Sequence, residues 1–95
     1  MPTYQAPLKD MQFVLHDVLK VTEDFAQVPA HQDLDADTVN AVLEEAGKFA
    51  AEVLTPLNRV GDVHGCTLDR DTHEVKTPDG FKAAYQQYCE GGWAA

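Results

Sequence analysis

Ninety-five residues are enough for one small domain with a modest core. Sixteen Asp and Glu against seven Lys and Arg leave a formal charge of -9, which opposes binding to nucleic acid phosphates and anionic membrane surfaces. No apolar run approaches the roughly 18 residues of a membrane span, and MPTYQAPLKD lacks a basic region followed by an apolar core, so a cytoplasmic protein is expected. The acids are scattered rather than blocked, as on solvated helix faces. Cys66 and Cys89 form no CxxC and no dense framework, so reduced thiols are expected.

The first segment, 1–33, reads as an extension helix and a loop. Leu8, Met11, Leu15 and Val18 recur at helical spacing, widened by Val14 and Leu19, and predict one helix from Pro7 to about Val21. Pro7 suits a first helical position and Asp10 the positive helix end. Thr22 is placed to cap a short second turn through Phe25 and Val28, which Pro29 stops; Pro29 to Asp33 carries no periodicity and reads as a loop.

The most regular stretch is 34–60, a long central helix. Val39, Val42, Leu43, Ala46, Phe49, Ala50, Val53, Leu54, Leu57 and Val60 line one face, while Asn40, Glu44, Glu45, Lys48, Glu52 and Arg59 occupy the other. Asp35 is the expected cap, with Leu34 and Val39 closing a hydrophobic staple. Pro56 removes a backbone bond to the Glu52 carbonyl, which predicts a kink or a break near Glu52–Pro56.

Gly61 is expected to terminate that helix, and 61–77 reads as a loop or hairpin. Cys66–Leu68 and His73–Lys76 are short candidate strands around the polar turn Asp69–Thr72. Residues 78–92 read as a C-terminal helix, with Thr77 as cap, Pro78 at the first position and a buried face of Phe81, Ala84, Tyr85 and Tyr88. Gly91 and Gly92 end it, and Trp93 packs back on its last turn. The fold class is all-α, a small helical bundle of three or four helices that allows one short β-hairpin near 66–76.

Chemistry is sparse. His64, Cys66 and His73, with Cys89 or His31 farther away, are the only metal-ligand candidates, yet they match no zinc spacing. Neither cysteine sits in a motif that would activate it as a nucleophile, and Cys89 reads as a small buried hydrophobe. Glu44 and Glu45 read as solvated side chains. The glycines make no GxGxxG phosphate cradle, and Phe81, Tyr85 and Tyr88 read as core rather than as a ligand box.

Three stretches, Tyr4–Leu19, Leu43–Leu68 and Thr77–Trp93, together resemble the N-terminus of an acyl-CoA dehydrogenase. The most specific residues are Leu57-Asn58-Arg59-Val60-Gly61-Asp62, Gly65-Cys66, Pro78-Asp79-Gly80-Phe81-Lys82 and Glu90-Gly91-Gly92-Trp93. The resemblance is to the bacterial branch with a short N-terminal extension, which includes 3-methylmercaptopropionyl-CoA dehydrogenase-like enzymes. It implies a flavoprotein in which a carboxylate takes the α-proton of an acyl-CoA thioester while the β-hydride passes to FAD, giving a trans-2-enoyl-CoA. In that family the catalytic Glu lies in the C-terminal helical domain, and the flavin and CoA-ester sites lie there and in a middle β-domain. No position of this chain matches the base or the main FAD-contacting motifs, so no catalytic, cofactor-binding or metal residue is assigned. The resemblance implies a structural part that packs on the rest of a homo-oligomeric enzyme, with apolar surface from Phe49, Leu54, Leu57, Tyr85 or Trp93 exposed in isolation or covered by another copy. The alternative is a stand-alone acidic helical module for interaction or dimerisation.

Overall fold

The computed structural model describes residues 3–94; Met1, Pro2 and Ala95 lie outside the described residues. The fold is helical with one short hairpin, as the periodicity predicts. It divides into two compact units, Met1–Ala50 and Ala51–Ala95.

The first unit opens with α1 (Leu8–Gln12), which passes directly into a π-helical turn, Phe13–Val18. Pro7 stands just before α1, where its carbonyl accepts the Met11 N–H at 3.0 Å. The run predicted as a single α-helix to Val21 therefore changes winding after Gln12. It ends at Lys20, whose left-handed φ of 51° starts α2 (Val21–Ala26). Thr22 accordingly lies inside α2 rather than capping it. Pro29–His31 forms a 3₁₀ turn, where a loop was expected.

Helix α3 (Ala36–Phe49) starts as the sequence requires: the Asp35 carboxylate accepts the Thr38 N–H at 2.8 Å, satisfying one of the free donors of the first turn. Gly47 is the buried residue of α3, because a Cβ there would stand 3.4 Å from Ala6 Cβ and 3.5 Å from Leu8 Cδ2. The N-terminal segment thus covers this position while leaving room for ordinary van der Waals contact with a Cβ. On the same helix Asn40, assigned to the wet side, is half-buried; its Oδ1 accepts from His16 Nε2 at 2.7 Å.

A second π-helical stretch, Ala50–Leu54, leads into α4 (Thr55–His64). This is the break predicted at Pro56. A proline one turn on cannot donate to the Glu52 carbonyl and crowds it, and wider winding relieves both. In the second unit α4 continues past Gly61 to His64, three residues beyond the expected stop. Gly61 has a packing role instead: a Cβ there would fall 2.9 Å from Phe81 Cζ. The positive φ, 61°, belongs to Gly65.

Strands β1 (Thr67–Leu68) and β2 (Val75–Lys76) pair antiparallel with Thr67 opposite Lys76 and Leu68 opposite Val75. Asp69 builds the turn between them, its Oδ1 accepting from the Asp71 N–H at 2.9 Å and the Thr72 N–H at 3.2 Å. Helix α5 (Phe81–Glu90) begins after Gly80 at φ 91°, later than the Thr77-Pro78 signal implied. Pro78 is buried in the preceding turn, its carbonyl accepting the Phe81 N–H at 3.3 Å. At the other end Gly92, φ 82°, turns left-handed, with Gly92 N–H to Cys89 O at 3.1 Å and Trp93 N–H to Tyr88 O at 3.3 Å. Those two bonds define a Schellman stop. The Trp93 ring stands 3.0 Å from the position of a Gly91 Cβ, packed back as expected.

The central stripe is real but thinly covered. Eight of its ten residues are half-buried, whereas Val42 and Leu54 remain 51% and 45% exposed. On α5 Ala84 is buried, but Phe81, Tyr85 and Tyr88 are 37%, 66% and 38% exposed, so the expected buried face holds at Ala84 alone.

Candidate functional site

In the second unit the end of α4, the two strands and the turn before α5 enclose an open groove of about 260 Å³, lined by His64, Gly65, Thr67, Lys76, Thr77, Pro78 and Asp79. Each residue arrives there for a local reason. His64 closes α4, Gly65 turns the chain, Thr67 and Lys76 are opposed in the ladder, and Thr77–Asp79 form the turn leading to α5. Of the candidates named from sequence, His64 alone lines this groove.

Cys66 is an exposed free thiol just before β1, and His73 sits in the hairpin turn with a left-handed φ of 63°. His31 packs edge-on against Phe25, ring centroids 5.7 Å apart. Cys89, expected in the interior, is an exposed free thiol on α5. Helical spacing placed it one turn from Tyr85 but could not say whether anything covers that face. Hydrogen bonding between Cys89 and Tyr85 raises the Tyr85 phenol above its ordinary value. Tyr85 and Tyr88 stack with centroids 6.4 Å apart. Glu44 and Glu45 are exposed, and Glu45 pairs with Lys48 at 3.2 Å across one turn of α3. Among the described residues no three His, Cys, Asp or Glu side chains converge as metal ligands, and no helix is long and apolar enough to cross a membrane.

Among the described residues Asp35 and Asp69 are the carboxylates with displaced titration, and both are structural. Backbone N–H bonds from Thr38 hold Asp35 below its ordinary value, and those from Asp71 and Thr72 do the same for Asp69. Both are turn or cap groups rather than proton-transfer groups. Sequence spacing missed Thr67, Lys76, Thr77 and Asp79 as groove residues, because only the hairpin register brings them together.

The groove is smaller than the roughly 300–1,000 Å³ of sites for drug-sized ligands. Gly61 and Gly80, moreover, are backed by Phe81 and Leu57 side chains instead of lying open to a phosphate.

Fold and surface together define a helical segment whose apolar faces are incompletely covered among the described residues. No protein-family model matches the chain. It is 36% identical over 94 residues to 3-methylmercaptopropionyl-CoA dehydrogenase of Ruegeria pomeroyi, with 96% of the chain covered. It is 32% identical over 91 residues to butyryl-CoA dehydrogenase of Syntrophomonas wolfei, and 29% over 93 residues to a broad-specificity linear acyl-CoA dehydrogenase of Mycobacterium tuberculosis. The chain spans about 15% of the length of each of these relatives. The chain is thus similar to acyl-CoA dehydrogenases along nearly its whole length, which is consistent with an N-terminal segment of such an enzyme.

Proposed function

We propose that residues 1–95 are a structural portion of the N-terminal helical domain of a FAD-dependent acyl-CoA dehydrogenase that oxidises an acyl-CoA to its trans-2-enoyl-CoA. The observation that carries this is similarity along 94–98% of the chain to three acyl-CoA dehydrogenases of which it spans about 15%. The segment itself carries no catalytic, flavin-binding or metal residue. Its partners are the remainder of the parent polypeptide and, through that polypeptide, further copies in a cytoplasmic homo-oligomer. The three relatives disfavour a stand-alone acidic dimerisation module.

Two measurements test this. The 95-residue chain, incubated with FAD and desalted, is expected to show no visible flavin band, whereas the product of the whole reading frame is expected to be yellow and to reduce its flavin when given a saturated acyl-CoA. Retention of flavin by the short chain would contradict the structural role, and a stop codon directly after Ala95 would contradict the parent enzyme.

A further inference from the structure

The first helical run has two apolar sides, and the π turn creates the second. Leu8, Leu15 and His16 are half-buried, and the 2.7 Å bond from His16 to Asn40 fixes the side that meets α3. Phe13, Val14, Val18 and Leu19 remain 57%, 44%, 59% and 55% exposed. In an α-helix, at about 100° per residue, Asp17 would fall between Phe13 and Val14 and split this set. The wider π winding of Phe13–Val18 turns the chain less per residue, which draws Phe13, Val14 and Val18, with the following Leu19, toward one side and shifts Asp17 toward its edge. The Leu19 N–H bonded to Val14 O at 2.9 Å, five residues back, holds that arrangement.

Resting on the parent-enzyme function proposed above, we propose that the Phe13–Val14–Val18–Leu19 face docks on the part of the parent polypeptide outside residues 1–95, against an apolar surface with a basic rim. Contiguous apolar side chains of this size mark interfaces. Two observations choose the occupant. Relatives of which the chain spans about 15% have most of their polypeptide left to supply the cover. A second copy is disfavoured by charge: residues 1–50 carry nine carboxylates against Lys9, Lys20 and Lys48, a net -6 that a copy of itself would repel.

The test is the labelling rate of a Phe13→Cys thiol by a maleimide, followed by peptide mapping to separate it from the exposed Cys66 and Cys89, in the short chain and in the complete reading-frame product. Docking predicts labelling at least about tenfold slower in the complete polypeptide. Phe13→Leu should keep the complete polypeptide's melting temperature, and Phe13→Ser with Val18→Ser should lower it without changing that of the short chain. Equal labelling rates, or protection appearing in the short chain as its concentration rises, would overturn the proposal. A complete polypeptide that protects the thiol but is colourless would leave the docking standing and remove the flavoenzyme assignment.

Discussion

Gly80 is the residue least free to change. At φ 91° it occupies backbone space that a side chain strains, and Leu57 Cδ2 stands 2.7 Å from where its Cβ would be. Gly80→Ala is expected to cost about 1–3 kcal/mol in urea unfolding. Gly47 predicts the opposite sign. It lies inside α3, where a Cβ would find ordinary contacts at 3.4 and 3.5 Å, so Gly47→Ala should stabilise by up to about 1 kcal/mol through helix propensity. Asp35 gives a pH signature. Its folded pKa is depressed, so its capping contribution is present above the ordinary aspartate value and is lost as pH falls through the lower folded one. Helical circular dichroism should therefore fall on acidification below about pH 4, with a smaller acid-dependent loss in Asp35→Ala.

At the scale of elements, the two π turns arise differently. The one at Ala50–Leu54 precedes Pro56 and follows from it, so Pro56→Ala, which restores a backbone donor, should raise the helical signal. An unchanged spectrum would detach the wide winding from the proline. The α4–α5 packing turns on Gly61 against the Phe81 ring, 2.9 Å from a notional Cβ. Gly61→Ala and Phe81→Ala should therefore be non-additive, with a coupling of about 0.5–3 kcal/mol in a double-mutant cycle. This pair also marks the boundary of what the sequence made legible. Asp35, Pro56, Asp69 and the Gly92–Trp93 stop act through the backbone within five residues, so their types alone announced the cap, the break, the turn and the end. Gly61 was mistaken for a terminator because its role is contact with Phe81, 20 positions away. The winding at Phe13–Val18 escaped because helical periodicity assumes 3.6 residues per turn before it assigns a face. Tyr85 and Cys89 were given the right helix and the wrong cover, since spacing sets an angle and says nothing of what lies opposite.

Across the whole molecule, burial is shallow where charge is high. Among the described residues no side chain is fully buried, and Ala84 is the one buried hydrophobic side chain, at 6% exposure. Hydrophobic stabilisation grows with the apolar area removed from water, so the isolated chain has little to set against conformational entropy. Its -9 charge adds self-repulsion, and among the described residues the one ion pair, Lys48–Glu45, joins two exposed side chains and offsets little of it. Raising ionic strength toward 0.1 M shortens the screening length to about 10 Å, which weakens repulsion between distant carboxylates more than it weakens that adjacent pair. The melting temperature of the 95-residue chain should therefore rise with sodium chloride at neutral pH. A melting temperature that falls as salt is added would mean that specific ion pairs, rather than net repulsion, dominate its electrostatics.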